Sequence, residues 1–344
     1  VDCREFDEQV VRLERIKDIA DQFVLVRITQ IEGADLNLFE FDLDLTMMVF
    51  FLNADEEIYG RYGGRDASDP DGRQSLLGLR YAMAAALKTH RSKEPELVPV
   101  KKKRPLYVRD LARRRVGGRC FHCHQAKEMQ IDALMRAGKW ERDDVWQFPL
   151  PDNLGLLLEV DRGNIVKGIE PGTLAARVGL KPGDEVVRLN DMPIHSLADA
   201  QYALEHAPKT GTIGISWLRE GKRLSGKLTL AEGWRRTDIS WRASVYDLVP
   251  RARLYGKDLT AKEKKALDLP VGRLAFRQKD SIPDQALDAG IRPGDIILGV
   301  DDKACGEDVI DFLMFVRHHY LVGDTVTVQV LRDGKHLNLP MKLR

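Results

Sequence analysis

Apolar and polar positions alternate readably along the first ninety residues. From Arg4 to Asp21, apolar Val10, Leu13, Ile16 and Ile19 recur three or four apart among charges, which predicts an amphipathic helix. Phe23-Val24-Leu25-Val26-Arg27-Ile28 is rich in β-branched residues and reads as a strand. Met47 to Leu52 is an unbroken apolar run, the pattern of a strand covered on both faces. Asn53-Ala54-Asp55-Glu56 then predicts a turn into a further strand from Ile58 to Tyr62. Beyond a Gly- and Asp-rich loop, Leu76, Leu79, Ala82, Met83, Ala86 and Leu87 mark one face of another helix. This stretch reads as α/β.

The texture changes at residue 92. Pro95, Pro99 and Pro105 interrupt the chain, and Lys101 to Arg119 holds nine Lys or Arg against one Asp. That is a solvated linker leading to a basic helix, or a surface for an acidic partner or cofactor carboxylates. From Asn153 onward the chain repeats itself. GLKPGDEVVRLNDMPI at 179–194 returns as GIRPGDIILGVDDKAC at 290–305, and WLREGKRLSGKL at 217–228 returns as VLRDGKHLNLPM at 330–341. Such long offsets repeat whole modules rather than short solenoid units. Each copy runs from a short Ala-containing helix through a Pro-Gly-Asp turn to an apolar strand, a second helix and a final strand pair. Gly183 and Gly294 follow Pro182 and Pro293, which suits turns needing positive φ at glycine.

The order of these elements resembles the bacterial PDZ domains found beside Deg/HtrA-type proteases. The resemblance implies an extended groove that binds a peptide by strand addition, with a loop of backbone N–H groups holding the terminal carboxylate. On that basis Leu154, Gly155 and Leu156 form the loop of the first module, and Val271, Gly272 and Leu274 a looser version in the second. A Deg/HtrA protease also needs a Ser in a Gly-rich turn with His and Asp upstream. No G-x-S-x-G or G-N-S-G pattern is present, so the expectation is against a protease.

Composition constrains the rest. With 43% hydrophobic and 31% charged residues over 344 positions, the chain is an ordinary globular mix of two or three domains. A formal net charge of +1 gives no reason to expect nucleic-acid or membrane binding. No run approaches the roughly 18 apolar residues of a membrane span.

Cys3, Cys120, Cys123 and Cys305 are the four cysteines. Cys120-Phe121-His122-Cys123-His124 has the C-x-x-C-H pattern of covalent haem c attachment, in which two thiols add to vinyl groups and His124 ligates iron. A redox disulfide, a zinc site of Cys120, Cys123 and His124, or two inert buried thiols compete with that reading. Cys3 opens the first predicted helix, where the helix N-terminus favours thiolate.

VDCREFDEQVV, DLNLFEFDLDLT, YGRYGGRD, CFHCHQ and GWRRTDISWR, together with the repeats, resemble a bacterial family of thioredoxin-like, PDZ domain-containing proteins, some of which carry selenocysteine. The resemblance implies that Cys3 is the second member of a catalytic pair whose first member, cysteine or selenocysteine, would precede Val1. Leu45 stands where a thioredoxin carries its cis-proline, a departure from that pattern. The expected architecture is a multidomain α/β plus β-rich chain. A truncated thioredoxin-like domain (1–92) leads to a basic linker with a short C-x-x-C-H helical segment (93–151). A first PDZ-like β-barrel or sandwich module (152–231), a connector (232–267) and a second such module (268–344) follow. The expected function is an extracytoplasmic, periplasmic redox-linked scaffold carrying haem c, a thiol oxidoreductase or electron carrier with a redox partner. The alternative is a PDZ adaptor that recruits exported clients or modulates a protease.

Overall fold

The computed structural model describes residues 13–28, 31–45, 47–69, 71–93, 95, 97–98, 103–111 and 123–344. The chain divides into two compact units, 1–237 and 238–344.

The first unit begins with α1 (Lys17–Ala20) and an antiparallel hairpin, β1 (Met48–Leu52) with β2 (Ile58–Gly63). The predicted turn forms at Asn53, whose side chain accepts hydrogen bonds from the Asp55 and Glu57 amides. Helix α2 (Leu76–His90) follows, capped by Ser75, whose hydroxyl accepts from the Gly78 amide. Its Leu79, Ala82, Met83 and Ala86 are buried, as the spacing predicts, and meet Ile16, Ile19, Phe51, Tyr59 and Tyr62 in one cluster. A Cβ at Gly78 would run into the Val160 carbonyl, so glycine lets the start of α2 lie directly on the first repeat. Two more helices, α3 (Val108–Leu111) and α4 (Cys123–Arg136), complete this part.

The thioredoxin-like expectation for this region is corrected here. The sheet of the described N-terminal residues is the two-stranded β1–β2 hairpin. Residues 24–28 belong to no strand, and Val24 is 93% and Val26 79% exposed. Their β-branched composition satisfies propensity, but propensity becomes a strand only where a ladder partner and a packing face exist.

The first repeat contains β3 (Leu156–Leu158) paired with β4 (Val166–Ile169), then α5 (Leu174–Arg177). A four-stranded antiparallel sheet follows, β5 (Glu185–Leu189), β6 (Met192–Pro193), β7 (Gly211–Arg219) and β8 (Lys222–Leu230), in the order β6-β5-β7-β8. Helix α6 (Leu197–Glu205) sits between β6 and β7 in the chain.

The second unit holds β9 (Gly256–Asp258), α7 (Ala261–Ala266), β10 (Phe276–Gln278), α8 (Asp284–Asp288), β11 (Ile296–Val300), α9 (Val309–His319), β12 (Thr325–Arg332) and β13 (Lys335–Lys342). Its five strands form one antiparallel sheet, β13-β12-β11-β10-β9. The segment 232–267, read as a connector, thus supplies an edge strand.

The repeated Pro-Gly-Asp and Leu-Arg signatures are two halves of one clamp. In the first repeat, Asp184 accepts from Arg219 Nε and Nη2, both at 2.7 Å, and Arg219 Nη2 also donates to the Gly179 carbonyl at 2.7 Å. In the second, Arg332 donates to Asp295 and to the Gly290 carbonyl at the same three distances. The Asp184 carboxylate takes the Lys181 amide and that of Asp295 the Arg292 amide, each at 2.8 Å. Gly183 and Gly294 adopt φ of 89° and 83°, as those turns require.

Candidate peptide-binding site

The two repeats present the same kind of strand edge in opposite conditions, one open and one covered. In the second unit, β10 is paired on both sides, to β9 and to β11, and β9 is the sheet edge. The Lys279 amide donates to the Tyr255 carbonyl and the Leu259 amide to the Ala275 carbonyl, at 3.0 and 2.9 Å. Residues 255, 257 and 259 therefore turn their backbone groups toward β10. Alternation leaves those of Gly256 and Asp258 directed off the sheet, where a further strand would bond. Glycine is required at 256, because a Cβ there would collide with the Arg277 carbonyl and the Phe276 ring. Asp258 Oδ1 accepts the Val309 amide at 2.9 Å, tying the end of β9 to the start of α9. Val309 and Leu313 are half-buried, and Ile310 and Met314 are 62% and 37% exposed. An unpaired strand edge beside a helix with exposed apolar side chains is what peptide capture by strand addition needs.

In the first repeat β3 and β4 form a two-stranded sheet, so among the described residues β3 also lacks a strand on its outer side. Leu154, Gly155 and Leu156, the expected carboxylate loop, lead into β3 and are all buried. Gly155 takes φ of 77°, and a Cβ there would overlap Thr173. Ile58, Val98 and Phe148, from the chain upstream of the repeat, share one apolar cluster with Leu154, Leu156 and Leu158. Every residue of α6 from Leu197 to Leu204 is buried.

The cover is fastened by polar contacts. Asp199 accepts the Arg61 amide at 2.8 Å, and the Ser196 hydroxyl donates to the Arg61 carbonyl at 2.5 Å. Gln201 donates to the Phe148 carbonyl and to Asp42, and the Arg61 guanidinium lies 3.4 Å from the centre of the Tyr202 ring. Burial pushes the Asp199 carboxyl up, against the pull of His195 and Arg61. His206 Nε2 lies 3.2 Å from Glu40, and the bond to that carboxylate raises the imidazole above its ordinary value.

The second-repeat candidates sit elsewhere. Val271 and Gly272 are exposed and Leu274 is buried, just ahead of the doubly paired β10. The strand matching β3 in order is β9, and the residues leading into it are Leu254 and Tyr255. Sequence reading missed it because α7 is inserted between β9 and β10, which displaces the glycine from its expected spacing. The capping box of Thr260 and Glu263 was the available signal for that helix.

Among the cysteines, Cys3 and Cys120 lie outside the described residues. Cys123 opens α4 and packs against a cluster of Leu36, Phe41, Val108 and Ala126, in the manner of a small apolar side chain. His124 follows it on the first turn and is half-buried. Cys305 is 3% exposed, and burial pushes its thiol up.

Comparison with known proteins decides what the repeats are. Residues 165–213 and residues 281–343 each match a PDZ domain model. The repeats are PDZ modules. Periplasmic serine endoprotease DegP of Escherichia coli K12 is 27% identical over 157 residues, 45% of this chain and 30% of DegP. A probable periplasmic serine endoprotease, DegP-like, of Pseudomonas fulva is 30% identical over 194 residues, 54% of this chain and 39% of the relative. The chain thus spans well under half the length of these relatives. A solved HtrA-type protease, AlgW with decapeptide, is 17% identical, covering 38% of this chain and 50% of that one, at a TM-score of 0.25, too low to add to the fold argument.

These findings overturn several expectations. The likeness is to periplasmic serine endoproteases, not to a thioredoxin-like or selenoprotein family, and the redox scaffold, thiol oxidoreductase and electron-carrier readings are overturned with it. The expectation against a protease is corrected by the same relatives, which are serine endoproteases. Haem c on Cys120, Cys123 and His124 loses its support, because the relatives are serine endoproteases. For zinc, no group of three or more His, Cys, Asp or Glu among the described residues is placed to hold a metal ion. Among those residues, no helix is long and apolar enough to cross a membrane.

Proposed function

We propose that this chain is an extracytoplasmic PDZ adaptor that captures the C-terminal tails of exported proteins and delivers them to a Deg-type serine endoprotease. The open edge of β9 beside α9 carries the reading. Strand addition there supplies main-chain hydrogen bonds at Gly256 and Asp258, and the residues entering β9, Leu254 and Tyr255, receive the carboxylate end. The second module is accordingly taken to begin upstream of β9. In the first module the loop Leu154-Gly155-Leu156 is the counterpart, and Ile58, Val98 and Phe148 occupy its apolar surroundings. Periplasmic location follows the names of the relatives, which are periplasmic endoproteases.

Fluorescence anisotropy with labelled decapeptides ending in a free carboxylate tests the reading. Binding is expected to the full chain and to be lost in Gly256→Val, whose side chain displaces β9 from β10. A C-terminally amidated peptide should bind at least tenfold more weakly. Equal binding of amidated and free peptides, or full binding by Gly256→Val, would refute the assignment.

A further inference from the structure

The face of β9 and β10 turned away from α9 is cationic. Phe276 and Ile297 pack with Phe312 and Val316 of α9 on one side of the sheet. Leu259, Ala275, Ile296 and Leu331 form a separate cluster on the other. Alternation puts Arg277 on the Ala275 side, and the register places Lys257 directly opposite it. Lys279, two residues along, shares that face. These three cations, with Gln278, Asp280 and Ser281, line an open cleft of about 470 Å³. All three are exposed. Asp280 is the single carboxylate in that lining. Glu263 lies close enough to feel Lys257 and Arg277, but its carboxylate bonds the Thr260 hydroxyl and amide at 2.7 and 2.8 Å. Arg277 also donates to the Gly294 carbonyl at 3.2 Å, which holds its guanidinium at the cleft.

We propose that the second PDZ module selects peptides with acidic side chains at alternate positions, those on the face of Lys257, with Arg277 and Lys279 one strand further in. The inference rests on the strand-addition reading above. A peptide added to β9 turns one set of side chains toward α9 and the other onto this cationic face. A residue opposite Lys257 stands about 5 Å away between Cβ atoms, close enough to pair. Both faces of the bound strand are then read, the apolar one by α9 and the charged one by the cleft. A neutral tail keeps the first set of contacts and forfeits the second.

Three labelled decapeptides with the same apolar positions and the same free carboxylate test this on the full chain, carrying Glu, Ser or Lys at the alternate positions. The Glu peptide should bind about tenfold more tightly than the Ser peptide and the Lys peptide more weakly still. The advantage should shrink as salt rises from 0.1 to 1 M, where the screening length falls from about 10 to about 3 Å. The double variant Lys257→Glu/Lys279→Glu changes exposed side chains only, and its fold is checked by circular dichroism. It should invert the order of the three peptides. Equal binding of Glu and Ser peptides, or an order unchanged in the double variant, overturns the acidic preference while leaving peptide capture standing. Failure of all three to bind overturns capture itself, and the preference with it.

Discussion

Ile58 belongs to a hairpin in the N-terminal part of the chain, yet its side chain is fully buried in the core of the first PDZ module. Ile58→Ala therefore distinguishes an integral strand from an appended domain. The substitution removes three carbons, at roughly 0.8 kcal/mol each for transfer alone, or about 2.4 kcal/mol. The cavity left among Leu154, Leu156 and Leu158 adds to that, and buried Ile→Ala changes cost about 2–5 kcal/mol in all. For a unit of this size, each kcal/mol lowers the melting temperature by roughly 2–4 °C. Differential scanning calorimetry should resolve the first unit moving down by about 4–20 °C. The second unit, which contains none of these contacts, serves as an internal reference and should not move. A shift under about 2 °C in the first unit, or an equal shift in both, would show that Ile58 does not stabilise the module.

Other outcomes can be checked alongside. Asp184→Asn and Asp295→Asn each weaken a charge-assisted clamp and should destabilise the unit that contains it by about 1.5–3 kcal/mol in urea melts. A similar loss in both units from either change would contradict two independent clamps. The folded value of His206 is raised by Glu40, so the pair stabilises fully below the ordinary imidazole value, and that contribution is lost as pH rises through the folded one. The melting temperature of the first unit should therefore drop from about pH 6 to pH 8, and His206→Gln should flatten the profile. Arg61→Met removes the guanidinium that lies against the Tyr202 ring and attracts the buried Asp199 carboxylate, and should destabilise the first unit by about 3–5 kcal/mol, the cost of leaving one member of a buried charge group uncompensated. Unchanged or raised stability on chemical denaturation would show that Asp199 and Glu40 do not depend on that charge.

How much of this was legible depended on whether the deciding partner was near in sequence. The Ser75-capped helix, the hairpin 48–63 and the two Pro-Gly-Asp turns answer to local spacing, and the structure holds them where the pattern puts them. The segment 24–28 has the composition of a strand, but a strand is a pairing, and no composition reveals whether a ladder partner exists. The β9 edge was hidden for a different reason. Its glycine sits at a spacing altered by an inserted helix, so a fixed offset from the first repeat points past it to Val271 and Gly272. Cys120 to His124 shows the limit of short motifs. The pentapeptide is short enough to occur without the chemistry it suggests, and what overturns it is the likeness of the whole repeat region to serine endoproteases, which no five residues carry. The covering of the first module was beyond reach altogether, because it joins Arg61 to Asp199 over 138 positions.

The edge of β9 has a consequence for how these molecules behave in company. A bare strand edge pairs as readily with another copy of itself as with a guest, which is how sheet proteins begin to clump. Here the edge is three residues long with Lys257 at its centre and Lys279 just past the end of the neighbouring β10, and two such edges brought together would set like charges face to face. The same lysines that welcome an acidic tail would then keep neighbouring copies apart. Neutralising them, or raising the salt until they no longer repel, should turn a dispersed protein into one that light scattering finds in growing assemblies.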